Sequence, residues 1–284
     1  MRIKVNDCTL FFDVEGSKLR PDGPQMKEVP TVLLLHGGPG FDHSTFKPFF
    51  APLADSAQLI YLDHRGQGRS DRSSPDRWNL SQWADDVKAF CDLLEIEHPI
   101  VLGNSFGGFV AMAYAIRHPS HPRKLILSST EATRSPENVL AAFERKGGAQ
   151  ARAAAQAFWD NPSTETLADY RRLCMPLYAR SGFGKDANAR VIWNLDLLFE
   201  WIKTEERTFN FLPQLSLIQC PTLITVGEED PITPPPASEE IAKRIRPDLL
   251  RFERFAGAGH GVFRDQPEKF FQLVRNFIAS PTFA

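Results

Sequence analysis

Residues Gly103-Asn104-Ser105-Phe106-Gly107 form the pattern G-x-S-x-G, set between a short apolar run, His98 to Leu102, and a helical pattern, Phe106 to His118. That setting calls for a strand, a sharp turn and a helix, with the serine held at the apex, at the mouth of a sheet. Gly103 and Gly107 read as positions where a side chain would collide with the neighbouring helix and strand.

A serine so placed becomes a nucleophile when a base takes its proton and an acid orients the base. Pro221 to Gly227 reads as a short buried strand that runs into Glu228-Glu229-Asp230-Pro231. A carboxylate just past a parallel strand sits on the ligand-facing edge of an open α/β sheet, so Asp230 is the expected acid. Leu250 to Phe255 reads as a further strand. It is followed by Ala256-Gly257-Ala258-Gly259-His260-Gly261, a glycine-rich loop that gives His260 the freedom of a general base. Asp265, with Pro267 and Glu268 after it, is expected to cap a last helix.

Elsewhere the chain alternates strand and helix. Arg2 to Val5 and Thr9 to Val14 are expected to pair antiparallel, and Gly16 to Val29 to form a polar loop. Thr31 to Leu35 has the composition of a strand buried on both faces. A helix is expected near Ser44 to Ala54, a strand at Ala57 to Leu62, a helix at Ser81 to Leu94 and a strand at Lys124 to Ser128. Such alternation specifies a mostly parallel sheet with right-handed crossovers. From Glu131 to Leu212 no strand is readable. Four helices are expected there: Asn138 to Arg145, Ala149 to Asp160, Ser163 to Leu177 and Asn188 to Lys203. Gly147-Gly148, Asn161-Pro162 and Ser181-Gly182-Phe183-Gly184 separate them. Arg145-Lys146 reads as a basic pair on a solvated helix end. The expected organisation is a core of residues 1–130 and 213–284 with a helical cap, 131–212, inserted over the catalytic edge.

His36-Gly37-Gly38-Pro39-Gly40 and Asp63-His64-Arg65-Gly66-Gln67-Gly68-Arg69-Ser70, together with the order Ser105, Asp230, His260, resemble the proline iminopeptidase-like branch of the α/β-hydrolase fold. The resemblance implies a mostly parallel eight-stranded sheet flanked by helices, a helical cap after the sixth strand and no cofactor or metal. It implies catalytic roles for Ser105, Asp230 and His260, and an oxyanion hole from the amides of Gly38 and Phe106. Some members take the acid from the position of Glu131, which makes that residue the rival of Asp230. His36 is expected to pin the oxyanion loop, and Asp63 and Arg65 to brace neighbouring loops. Phe41, Trp159 and Trp193 are expected to line the substrate pocket. The chain departs from true proline iminopeptidases, which usually carry G-G-S-W-G at the elbow and supply an acidic pocket from the cap.

Net charge is −2 over 284 residues, which gives no reason to expect nucleic acid or an anionic membrane as a partner. The opening residues hold no apolar signal core, and no apolar run is long enough to span a bilayer. The scattered Cys8, Cys91, Cys174 and Cys220 fit a reducing, cytoplasmic setting. The expected function is hydrolysis of a carboxylic ester or lactone of a small to medium hydrophobic substrate by a monomer or homodimer. Removal of N-terminal proline is the alternative, and a triad-bearing, receptor-like binding protein the reading from another class. Dehalogenase and epoxide hydrolase chemistry needs an aspartate where Ser105 stands.

Overall fold

In the computed structural model, which describes residues 1–182 and 185–281, the strands are β1 (Arg2–Val5), β2 (Cys8–Glu15), β3 (Leu19–Asp22), β4 (Gln25–Glu28), β5 (Thr31–Leu35), β6 (Gln58–Leu62), β7 (Ile100–Asn104), β8 (Lys124–Ser128), β9 (Thr222–Gly227) and β10 (Leu250–Phe255). The helices are α1 (Leu80–Leu93), α2 (Phe106–Arg117), α3 (Pro136–Asp160), α4 (Thr164–Leu173), α5 (Lys185–Arg190), α6 (Leu195–Lys203), α7 (Pro235–Ala242), α8 (Val262–Asp265) and α9 (Pro267–Ala279). Eight strands form one sheet in the order β1-β2-β6-β5-β7-β8-β9-β10. β1 and β2 pair antiparallel, β2 pairs antiparallel with β6, and the remaining pairs are parallel.

The four central strands β5, β7, β8 and β9 are buried on both faces, as their β-branched and apolar runs require. Alternate residues feed two cores. Leu33, Leu35, Val101 and Leu127 pack in the layer that holds α1 and α2. Val32, Leu34, Ile100 and Leu102 pack in the layer that holds α9. The chain leaves β5 toward β6 on one side, and β7 then lies on the other side of β5. Loops that leave β5 and β7 therefore diverge, and the crevice between them is where an open α/β sheet takes its ligand.

The structure corrects several expectations. Gly16 to Val29 contains a hairpin, β3 with β4, turning at Gly23. It is almost wholly solvent-exposed, so it carries no hydrophobic alternation to read. The helix expected near Ser44 to Ala54 is two short 3₁₀ turns, His43–Phe46 and Ala51–Asp55; Pro48 and Pro52 withhold the amides a longer helix needs. β7 begins two residues later than expected. The first two helices of the 131–212 segment are one helix, α3, kinked at Gly148 (φ 73°, ψ −172°). Pro176 ends the regular helix of α4, which continues as a 3₁₀ turn, Met175–Leu177. The last expected helix is split into α5 and α6, and Asn194 caps α6 by accepting from the Leu197 amide at 3.3 Å. Phe183 and Gly184 of the expected break lie outside the described residues. Gln266, not Asp265, occupies the cap position of α9, because the Asp265 carboxylate is engaged elsewhere.

Among the described residues no helix is long and apolar enough to cross a membrane. One charge is enclosed at the end of a central strand. The ammonium of Lys124 donates to the carbonyls of Phe277 (2.6 Å), Ile278 (3.1 Å) and Ser280 (2.5 Å), closing the C-terminus of α9. Burial holds its pKa below the ordinary lysine value. Lys124→Met should leave these carbonyls without their donor and cost about 2 kcal/mol. The check is the urea midpoint, which should fall at unchanged slope; an unchanged midpoint would contradict the account.

Candidate active site

The turn at Ser105 is possible only because two residues lack side chains. A Cβ on Gly103 would stand 2.2 Å from the Gly107 carbonyl oxygen, and one on Gly107 would stand 1.9 Å from that of Leu35. Helix α2 therefore touches β7 at Gly103 and the end of β5 at Gly107, backbone to backbone. Ser105 takes φ 55° and ψ −122°, a conformation that strains any residue with a Cβ. Its environment holds it there. The Ser105 amide donates to Ser128 O at 3.0 Å, and Thr130 Oγ1 and the Gly108 amide donate to Ser105 O, each at 2.8 Å.

Asp230 and His260 follow β9 and β10. Asp230 is 2 % exposed, although Glu228, two residues before it, is exposed. Its Oδ2 lies 2.8 Å from His260 Nδ1. Oδ1 accepts from the amides of Ile232 and Thr233, both at 2.9 Å, and Oδ2 also accepts from Thr233 Oγ1 at 2.8 Å. Three donors besides the imidazole thus fix the carboxylate. Glu131, its rival, is turned toward Arg134, with Oε1 2.9 Å from Nη1.

Ser105 and His260 face one cavity of about 120 Å³. Gly37, Gly38 and Pro39 form its wall beside the serine. Phe106 opens α2; its amide stands at the positive end of that helix, while its ring is buried against His64 and Trp83. His36 is enclosed. Its Nδ1 lies 2.7 Å from Gly37 O, and its Nε2 accepts from the His64 amide at 3.4 Å, so it ties the loop after β5 to the turn after β6. That turn is braced in turn. Arg65 binds Asp86 (2.7 Å) and Asp7 (2.8 Å), and Asp63 accepts from the amides of His43 and Arg69.

A further wall comes from the segment between β8 and β9, joined by Phe41 from the loop after β5. Phe41, Trp159 and Trp193 all line the cavity. Phe41 and Trp193 meet edge to face at 4.3 Å, and the Arg134 guanidinium lies 4.4 Å over Trp159. Asn194 locks this wall to the core: its amide donates to Gly40 O at 2.9 Å, and its Nδ2 donates to Gly66 O at 2.7 Å. Lys146, expected in solvent, donates to Glu229 O at 2.8 Å, beside Asp230.

Sequence reasoning missed a charged cluster in the cavity wall. Glu131, Arg134 and Glu206 all line it, with Arg134 Nε 3.3 Å from Glu206 Oε1. Glu131 Oε2 and Arg134 Nη2 are buried without a hydrogen-bond partner. The cluster joins residues over seventy positions apart, so only the fold assembles it. Thr233 was missed as well, although Asp-x-x-Thr is a recognisable side-chain turn. Among the described residues no group of three potential ligands could hold a metal ion.

Comparison with known proteins agrees with this architecture. The family model described as alpha/beta hydrolase fold matches residues 30–267. The chain is 29 % identical over 286 residues to the proline iminopeptidase PfmaB of Pestalotiopsis fici, covering 94 % of this chain and 98 % of that one. Its fold is shared with the enol-lactonase from Burkholderia xenovorans LB400 (TM-score 0.74, 22 % identity, 99 % and 100 % covered). It is shared also with an esterase from Exiguobacterium antarcticum (TM-score 0.71, 22 % identity, 98 % and 99 % covered). With the elbow, the sheet order and this match together, the chain belongs to the α/β-hydrolase-fold family.

Proposed function

We propose that this protein is a serine hydrolase that cleaves a carboxylic ester or lactone of compact, largely apolar substrate through an acyl-enzyme. The observation that carries the reading is the 2.8 Å contact between Asp230 and His260 Nδ1 at the wall of the cavity that Ser105 faces. With Nδ1 engaged, Nε2 is the nitrogen left to serve as base. It takes the proton of Ser105 Oγ as that oxygen bonds to the carbonyl carbon. The amides of Gly38 and Phe106 receive the negative charge that develops on the carbonyl oxygen. The departing alkoxide takes the proton from His260. Water, giving its proton to the same nitrogen, then attacks the acyl-serine, and the acid leaves as Ser105 regains its hydrogen.

The aromatic walls support an apolar acyl or alcohol part, and residues 131–212 act as the cap that keeps water from it. The four cysteines are buried and unpaired, which fits a cytoplasmic setting.

One observation favours a second reading, an aminopeptidase acting on N-terminal proline. Two carboxylates, Glu131 and Glu206, share one guanidinium in the cavity wall, which leaves room for a cationic group on the substrate. Burial pushes Glu131 up to about 7 against the pull of Arg134, and burial also raises Glu206.

Ser105→Ala should abolish hydrolysis of p-nitrophenyl butyrate with the circular dichroism spectrum unchanged, and Asp230→Asn should lower kcat by about a thousandfold or more. Turnover near wild type in either variant contradicts the assignment. Wild type should prefer p-nitrophenyl butyrate to proline p-nitroanilide in kcat/KM. The reverse preference, lost in Glu206→Gln, would establish the second reading instead. Glu131 gives a pH signature. Unfolded chain loses this proton near pH 4.5, whereas folded chain keeps it to about pH 7. Stability therefore falls as pH rises through that window, by up to about 3 kcal/mol from this group. Glu131→Gln should flatten the dependence in urea titrations over about pH 4 to 8; equal slopes in both proteins would contradict it.

A further inference from the structure

His260 is held by residues that are not part of its own loop. Its amide donates to Tyr178 O at 2.6 Å, and the two rings meet edge to face at 5.4 Å. Its neighbour Gly259 has no room for a Cβ, which would stand 2.1 Å from Tyr178 O. Five residues beyond His260, the Asp265 carboxylate takes the place of a connector. Oδ2 accepts from the amides of Gly259 (2.8 Å) and Arg180 (3.2 Å), and Oδ1 accepts from the amide (2.9 Å) and hydroxyl (2.7 Å) of Ser181. One side chain thus joins the histidine loop to the chain that follows α4, whose Tyr170 and Met175 line the cavity.

We propose that Asp265 is a positioning residue for His260, clamping Gly259 against residues 178–181 so that the imidazole stays aligned between Asp230 and Ser105. The proposal rests on the hydrolase reading above. Without the carboxylate, the Gly259, Arg180 and Ser181 amides lose a shared acceptor, and the bond from the His260 amide to Tyr178 O must hold the loop against residues 178–181 without it. A displacement of about 1 Å in a catalytic group is worth about a hundredfold in rate. Asp265 itself does not line the cavity. Its loss should therefore act on the chemical step and leave substrate binding nearly unchanged. A residue that only stabilised the fold would change the melting temperature and the active fraction, not the turnover of the folded fraction.

Steady-state hydrolysis of p-nitrophenyl butyrate by wild type, Ser105→Ala, Asp265→Ala, Asp265→Asn and Ser181→Ala tests it, with active sites counted in every protein that keeps Ser105. Asp265→Ala should lower kcat by about thirtyfold and leave KM within about threefold. Asp265→Asn keeps one acceptor oxygen and should fall between Asp265→Ala and wild type. Ser181→Ala removes one of the four bonds and should lose less than Asp265→Asn. A kcat in Asp265→Ala within about twofold of wild type, or a KM that rises as far as kcat falls, overturns the proposal. Should Asp265→Ala fail to fold, Asp265→Asn decides by the same split. Wild type no faster than Ser105→Ala would instead overturn the hydrolase reading, whatever the Asp265 variants do.

Discussion

Backbone contact between β7 and α2 is the constraint on which the site depends. Gly103 lets β7 and α2 meet with no side chain between them, and Gly107 lets α2 meet the end of β5 in the same way. The chain must then reverse within one residue, and Ser105 bears the resulting left-handed φ. Strain of this kind costs about 1–3 kcal/mol and persists only where surrounding bonds over-determine it. Here Ser128, Thr130 and the first turn of α2 do so. The same turn puts the Phe106 amide and the first turn of α2 directly after the serine. The reversal of strand order beside β5 opens the space in front of the serine and brings the Gly37–Pro39 loop to its other side.

The sheet supplies the edges, and the segment between β8 and β9 supplies the enclosure. Asn194, Lys146 and residues 178–181 tie that segment to three loops of the site: the one after β5, the acid loop and the histidine loop. Enclosure has electrostatic consequences. Glu131 and Glu206 are lifted toward neutrality by burial, and Arg264, also in the cavity wall, is lowered to about 10 for the same reason. Charges facing such a cavity interact far more strongly than they would in water. On the proposed hydrolase reading, the polar end of the cavity would sort substrates by charge and the aromatic end by shape.

Much of this was legible in the sequence. Thr31 to Leu35, Lys124 to Ser128 and Leu250 to Phe255 match their strands because burial on two faces, or packing beside such a strand, leaves an unbroken compositional mark. Ser105, Asp230 and His260 were readable because each follows a strand at a turn with its own signature. Positions that sequence misplaced fall where local pattern and tertiary contact diverge. The exposed β3–β4 hairpin has no buried face to announce it. Asp265 has the form of a helix cap, and its carboxylate is drawn instead to amides more than eighty residues back in the chain. Glu131, Arg134 and Glu206 meet only once the stretch before α3 and the 3₁₀ turn after α6 come together.

Covalent trapping reaches the central claim most directly, since it asks which atom is the nucleophile without assuming a substrate. Intact-mass and peptide mass spectrometry after exposure to an alkyl fluorophosphonate should show one adduct per chain, on the peptide that carries Ser105, and His260→Ala should take up the reagent far more slowly. An adduct on another residue, or a Ser105 that stays unmodified in folded wild-type protein, would contradict the account.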